Sequence, residues 1–240
     1  MKRWADTVFS AGPRPPLPAP PAIVGRALEP LVLPERLARI ERAVAQRIGS
    51  VAVVVESLAD PHNVSAILRT ADGLGIQYVH AIETHAHVLM TTRVTKGCEK
   101  WLDLRRYATV AAAVATLRAA GFVLYVADAR ATQPLDAVAA IPRVALAFGN
   151  EHDGVSSELR AAASGSFCVP MRGMVESFNV SVAAGIALAA VAQNRSGDID
   201  GEVALELRAR FLIESVRGAE HVIERYVRDT STGVPSCPSA

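Results

Sequence analysis

"VAVVVESLADPHNVSAILRTADGLGIQYVHAI", residues 51–82, holds one period of the pattern that decides the fold. "VAVVV" is an unbroken apolar run rich in β-branched residues, as expected of a strand buried on both faces. "NVSAILRTADGLG" reads as a helix with a glycine stop, and "IQYVHAI" as the next strand. The alternation returns downstream. "WLDLRRY" is strand-like, "TVAAAVATLRAAG" helical and "FVLYVAD" a strand. "RVALAFG" and "SFCVPM" supply two more strands, with "SSELRAAA" between them and "NVSVAAGIALAAVAQNR" closing as a helix. Alternation at this spacing predicts an α/β fold: a mainly parallel sheet covered by helices on both faces.

The flanks read differently. Residues 11–34 are rich in proline ("PRPPLPAPP", then Pro30 and Pro34) and are expected to be extended or mobile. In "PERLARIERAVAQRIG" (34–49), Leu37, Ile40, Val44 and Ile48 recur at helical spacing, while Arg36, Arg39, Arg42 and Arg47 fall elsewhere. That predicts an amphipathic helix with a basic outer side, either a solvated face or one that contacts RNA. Residues 202–228 read as one further amphipathic helix with arginines at 208, 210, 217, 225 and 228. The tail after Asp229, "TSTGVPSCPSA", is expected to be disordered.

With 240 residues, half of them hydrophobic and a fifth charged, the chain can bury a substantial core. The apolar stretch Val182–Ala192 is too short to span a bilayer, and the positive opening lacks the apolar segment of a secretory signal, so a cytoplasmic protein with no membrane span is expected. Cys98, Cys168 and Cys237 are far apart without metal-ligand spacing, which fits unpaired thiols and argues against a metal site. A net charge of +1 means that any nucleic-acid partner is held by local basic patches.

In an open α/β sheet, ligands bind outside the carboxyl ends of the strands. Three polar segments occupy such places: "DPHNVSAILRTADGLG", "GNEHDGVSSEL" and "VPMRGMVESFNVSVAAGIAL" (169–188). In the first, Pro61 imposes a turn, Asn63 is a natural helix cap, and Arg69 sits in an apolar segment where a cation needs an anionic partner or a site. In the second, Gly149, Asn150 and Glu151 follow a strand whose end offers backbone groups to a ligand. In the third, Ser177 and Asn179 precede a helix and suit capping as well as chemistry. Gly173 and Gly185 suit close backbone approach. The loop after the first strand, "ESLADPHN", holds no glycine, and no G-x-x-x-x-G-K-[ST] occurs, which argues against a nicotinamide dehydrogenase and a P-loop NTPase.

Together the three segments resemble, in order and spacing, the signature motifs of the SPOUT-superfamily RNA 2'-O-ribose methyltransferases. "VTKGCEKWLDL" (94–104) is similar to a segment of the tRNA guanosine 2'-O-methyltransferases of the TrmH family. The resemblance implies a C-terminal deep trefoil knot whose loops hold S-adenosylmethionine. It divides the chain into a tail (1–34), a methyltransferase domain that includes the basic helix (35–200), a helical extension (201–228) and a second tail (229–240). By motif position, Ala127, Gly149, Val169, Met171 and Phe178 line the cofactor pocket. The resemblance also implies that Arg69 activates the ribose hydroxyl, with Asn63, Ser177 and Asn179 beside it.

A guanidinium is a poor general base but a good ligand for phosphate and alkoxide, so Glu151 stands as the rival base. The resemblance further implies a homodimer, no metal, and RNA contacts from Arg36, Arg39, Arg42 and Arg69. The implied substrate is a D-loop guanosine of tRNA. Ribosomal RNA is the alternative, and a non-catalytic RNA-binding module the alternative from another class.

Overall fold

The computed structural model describes residues 15–83 and 97–231. Residues 1–14 of the first expected tail (1–34), residues 232–240 of the second (229–240), with Cys237, and the start of the "VTKGCEKWLDL" segment at 94–96 lie outside them, whereas residues 229–231, expected to be disordered, end a helix. In chain order the elements are α1 (Pro21–Leu28), α2 (Pro34–Ala45), β1 (Ile48–Glu56), α3 (Pro61–Gly73), β2 (Ile76–Ile82), a 3-10 turn (Cys98–Trp101), β3 (Asp103–Tyr107), α4 (Val110–Ala119), β4 (Val123–Ala127), α5 (Leu135–Ala139), β5 (Val144–Phe148), α6 (Ser157–Ala162), β6 (Gly165–Phe167), α7 (Val180–Ala192), α8 (Gly201–Ser215) and α9 (Ala219–Ser231). They form two compact units, Arg47–Asp198 on the one hand and Pro15–Gln46 with the residues from Ile199 onward on the other.

The first unit is the expected parallel sheet, six strands in the order β3-β2-β1-β5-β4-β6. Strand residues alternate faces, so each face carries its own core. Val51, Val53, Val55, Leu146 and Phe148 pack with Val64, Ile67 and Leu68 of α3, Leu135 and Val138 of α5, and Ala184, Leu188 and Val191 of α7. On the other face Ala52, Val54, Ala145 and Ala147 pack with Val110, Val114 and Leu117 of α4 and Leu159 of α6. Burial on both sides is why β1 reads as an apolar run without polar alternation.

Arg195, just past α7, fastens that helix to the sheet unit. Its guanidinium donates to the carbonyls of Ala139 and Pro142 and to Ser50 Oγ at 2.7–3.2 Å.

Several expectations at the flanks need correction. Residues 21–28, read as extended, form α1, with Pro21 at its first turn and Val24 and Leu28 fully buried; proline at the start of a helix costs no hydrogen bond. The helix predicted through Ile48 ends at Ala45, and Ile48 opens β1. Arg47 is therefore not on a basic face. It is 3 % exposed and paired with Asp72 at 2.6 Å. The single helix expected over 202–228 is two, α8 and α9, separated at Gly218, whose φ of +72° breaks the helix at a residue that tolerates it.

The basic helix α2 belongs to the second unit rather than to the sheet unit. That unit is all helical around Val24, Leu28, Ile40, Val44, Leu207, Phe211 and Leu212. Arg208 of α8 donates to Glu29 at 2.7 Å and Glu41 at 2.6 Å, so it pins the fold and presents no free cation.

One buried polar pair makes a stability prediction. His80 on β2 is 3 % exposed, stacks on Tyr107, and shares a 2.9 Å hydrogen bond with its hydroxyl. Burial, then the charge of Arg105, lowers its pKa from 6.5 to about 4. The folded state thus resists protonation that the unfolded chain accepts. Its contribution is complete above about pH 6.5 and is lost as pH falls toward 4. At 1.36 kcal/mol per pK unit this amounts to roughly 3 kcal/mol. Urea unfolding between pH 7 and 4 should show that decline, and His80→Phe should flatten it; an unchanged slope in the variant would assign the decline to other groups.

Candidate active site

Strand order runs from β1 through β2 to β3 in one direction and through β5 and β4 to β6 in the other. The reversal between β1 and β5 is a topological switch point, and the crevice at its carboxyl side is where such sheets bind ligands. Register aligns Val55 with Phe148 and Ala127 with Phe167, so the strands that flank the crevice end at one level. Phe148 and Phe167 meet edge to face, 6.2 Å between centroids, beneath those ends.

The turn after β5 is closed by reciprocal backbone bonds between Asn150 and Gly154, both 2.9 Å. It leaves no room at Gly149, where a Cβ would lie 2.1 Å from the carbonyl carbon of Gly154. Gly173 and Gly185, expected to be the close-approach glycines, have nothing within 4 Å of such a Cβ. Asn150 Nδ2 donates to the Ser57 carbonyl at 3.0 Å, which joins the turn to the loop after β1.

In that loop Asp60, not Asn63, caps α3: its Oδ1 accepts from the His62 N–H at 2.8 Å, and Pro61 is the first helical residue. Asn63 is thereby released for tertiary bonding. Its Nδ2 donates to Glu151 Oε1 at 2.7 Å, and its Oδ1 accepts from Asn179 Nδ2 at 3.1 Å. The amide orientation follows from the network, because an ionised carboxylate can only accept. Asn179 Oδ1 accepts from the Ser181 N–H at 2.9 Å and so caps α7 as well. One amide therefore holds together the loops that follow β1, β5 and β6.

Glu151 accepts three hydrogen bonds. Besides Asn63, its Oε2 accepts from the Ala59 N–H at 3.1 Å and its Oε1 from the Asp60 N–H at 3.4 Å. Burial pushes its carboxyl up, but the donors from Asn63 and the backbone outweigh it and hold the group below its ordinary value. A carboxylate that accepts three hydrogen bonds and has its acidity raised serves as a clamp better than as a proton acceptor. Glu151→Gln would turn an N–H toward the backbone donors, and activity is expected to drop on the order of tenfold or more. The pH–rate profile should keep its shape; loss of a limb in the variant would make Glu151 the base.

The other expected residues are placed separately. Ser177 is exposed and makes no hydrogen bond among the described residues. Arg69 is exposed on α3, and none of the described residues hydrogen-bonds or ion-pairs with it. Ala127, Gly149, Val169 and Met171 stand at or just beyond the ends of β4, β5 and β6, and Phe178, 37 % exposed, precedes Asn179. From Val169 to Phe178 the described structure contains no backbone–backbone hydrogen bond, so this segment offers its N–H and C=O groups to a ligand. With apolar Ala127, Val169 and Phe178 alongside, that donor set fits an adenine ring.

One contributor was missed in the sequence. Glu56, 3 % exposed, accepts from Ser156 N–H at 2.7 Å and Ser156 Oγ at 2.6 Å, which locks the far end of the 149–156 segment to β1. A carboxylate closing a buried valine run was its signal. Among the described residues no cluster of His, Cys, Asp or Glu could hold a metal, and Cys98 and Cys168 are free thiols.

Fold and site define an open parallel α/β domain with a ligand edge built from three strand-end loops. A family model described as the SpoU rRNA methylase family matches residues 50–189, and the chain belongs to that family. The tRNA (guanosine(18)-2'-O)-methyltransferase of Thermus thermophilus is 38 % identical over 157 residues, 64 % of this chain and 79 % of that protein. The crystal structure of the Aquifex aeolicus TrmH/SpoU tRNA modifying enzyme is 25 % identical with a TM-score of 0.68, covering 76 % of this chain and 98 % of the other. An AdoMet-bound rRNA methyltransferase from Sinorhizobium meliloti is 26 % identical with a TM-score of 0.55, over 63 % of this chain and 59 % of that one.

Proposed function

We propose that the protein transfers a methyl group from S-adenosylmethionine to the ribose 2'-hydroxyl of a D-loop guanosine in tRNA, the position numbered 18 in the name of the Thermus relative. The observation that carries this reading is the Asn63 amide, which joins Glu151 and Asn179 across three loops at the switch-point edge. Ala127, Gly149, Val169, Met171 and Phe178 hold the cofactor, chiefly through the unpaired backbone of the 169–178 loop. When bound, the cofactor supplies an electrophilic methyl on a sulfonium and departs as a neutral thioether. No metal takes part.

The chain's own work is positioning. The 2'-oxygen must meet the methyl carbon in line, and near-attack geometry can supply roughly 7–11 kcal/mol. Asn63 and Asn179 fix the loops, Ser177 offers a hydroxyl at the open edge, and the Arg69 guanidinium neutralises the neighbouring phosphate and the developing alkoxide. With Glu151 occupied as a clamp, the hydroxyl proton goes to water.

Arg39 and Arg42, exposed on α2, supply phosphate contacts together with Arg69; Arg36 is part-buried and bonds to Ser215 Oγ at 3.3 Å, so its share is smaller. The outer side of α7 carries exposed Val182 and Ile186 with open space at Gly185, which supports a second copy of the chain packing there as a homodimer. The strand order β1-β5-β4-β6 supports the C-terminal trefoil knot that the motifs imply. The reading implies a cytoplasmic enzyme, and no helix among the described residues is long and apolar enough to cross a membrane.

Ribosomal RNA is the alternative substrate, favoured by the family description itself. Incubation of the purified protein with labelled S-adenosylmethionine and total tRNA or ribosomal RNA, followed by mapping, separates the two. Label at a D-loop guanosine ribose is expected. Label confined to ribosomal RNA would overturn the substrate, and none in either would leave an RNA-binding module.

A further inference from the structure

Beside the Asn63 network, the carboxyl ends of β1 and β2 form a cleft with the start of α3. Val55, Leu58, Val64 and Ala81 line it together with Ser57 and Glu83, and it measures about 240 Å3 out to its open mouth. Two features distinguish it from an ordinary gap between strand and helix. Ser57 has a φ of +50°, the only positive value at a residue other than glycine among the described residues. Its N–H donates to the Ile82 carbonyl at 2.9 Å and its own carbonyl accepts from Asn150 Nδ2 at 3.0 Å, so the surroundings impose the strained turn. Strain of this kind clusters at ligand-binding edges.

Glu83 is the second feature. It follows β2 directly, its N–H donates to the Tyr107 carbonyl at 2.9 Å, and its carboxylate pairs with Arg106 of β3. Strand alternation places it on the face of Val79 and Ala81, the face that α3 and α7 cover. A carboxylate anchored by a guanidinium therefore stands in an otherwise apolar cleft. In sheet order β1 separates this cleft from the β5, β4 and β6 ends, where the reading above seats the cofactor. Val64 of the cleft follows Asn63, so a base lying over β1 and β2 has its ribose beside the Asn63 loops.

We propose that this cleft receives the Watson–Crick edge of the target base and that Glu83 is the residue that selects guanine. The inference rests on the methyltransferase reading above and extends it to the base. Guanine presents two donors side by side on that edge, N1–H and the N2 amino group, and a carboxylate presents two acceptors to match them. Adenine places an acceptor at N1, which a carboxylate repels. A carboxylate has about four acceptor sites, so Glu83 can serve Arg106 and the base together. The apolar walls keep water from that contact, which strengthens each hydrogen bond.

The test uses the full chain with three tRNA transcripts that carry guanosine, inosine or adenosine at the D-loop position. Inosine keeps N1–H and lacks the amino group. The wild type should prefer guanosine to inosine by about tenfold to a hundredfold in kcat/KM, the size of one hydrogen bond to a charged group, and should leave adenosine unmodified. Glu83→Gln should lower kcat/KM on guanosine by a similar factor and on inosine by less, so that their ratio falls to about threefold or below. Kd for S-adenosylmethionine should stay within about twofold. If Glu83→Gln does not fold, Glu83→Asp takes its place: it keeps the charge, draws the carboxylate back, and should lower the ratio in the same way.

A side chain that only anchored Arg106 would lower activity on both transcripts alike. An unchanged ratio in the variant would therefore overturn the proposal while leaving the enzyme's reaction intact, as would equal use of guanosine and inosine by the wild type. Absence of transfer to every transcript by the wild type would instead overturn the reading of function, and this inference with it.

Discussion

Arg69→Ala is expected to abolish methyl transfer, a loss on the order of a thousandfold or more in kcat, while S-adenosylmethionine binds with nearly unchanged affinity. The magnitude is that of removing a preorganised charge from a transition state that develops negative charge, about 4 kcal/mol. The separation of effects follows from placement. Arg69 stands on α3 and takes no part in the Asn63–Glu151–Asn179 network. It is exposed, so truncation leaves no cavity and little change in stability. Single-turnover transfer and calorimetric titration with the cofactor measure the two quantities independently. If affinity for the cofactor collapses with activity, Arg69 belongs to the cofactor pocket and its assigned role is wrong.

Gly149→Ala is expected to do the opposite, destroying cofactor binding first. A methyl at that position would lie 2.1 Å from the Gly154 carbonyl carbon and 2.2 Å from the Val155 nitrogen. Both obstacles are backbone, so no side-chain rotation relieves them. Relief requires opening the turn, which breaks the paired bonds between Asn150 and Gly154 and draws Glu151 away from the Ala59 and Asp60 amides. Overpacking of this kind costs about 1–3 kcal/mol or more, several degrees in Tm for a unit of this size. The affinity for S-adenosylmethionine should fall at least tenfold. Gly73→Ala, with nothing within 4 Å of the added methyl, is the control and should be near neutral. Equal behaviour of the two variants would mean that the turn does not shape the pocket.

How much of this was legible depends on what kind of signal each feature leaves. The strands "IQYVHAI" and "RVALAFG" match β2 and β5 closely because burial on both faces leaves an apolar run that local sequence can show. The three polar segments after strands converge as expected, since the ligand edge of a parallel sheet is a property of topology. Asn63 was misread as a cap although Asp60-Pro61 carried the better signal, an acceptor followed by proline at the first helical position. Composition concealed α1, whose prolines mark its start rather than its absence. Arg47 looked exposed because a helical face was extrapolated past the end of α2. Which glycine lacks room, and which carboxylate is engaged, are facts about neighbours distant in the chain. Gly149 against Gly154 and Glu151 against Ala59 could be found only in the structure.

These features also narrow the chemistry. Two candidate bases were open in the sequence, and the structure treats them differently: Glu151 accepts three hydrogen bonds at the join of two loops, whereas Arg69 remains available. A transferase that works by alignment and a fixed positive charge is consistent with both.

The most direct measurement is methyl transfer to a pair of tRNA transcripts that differ in one oxygen, carrying guanosine or 2'-deoxyguanosine at the D-loop position. The account predicts one methyl group per tRNA on the guanosine transcript and none on the deoxy transcript. Equal labelling of both would show that the methyl group goes somewhere other than that ribose oxygen, and would contradict the reaction proposed for this site.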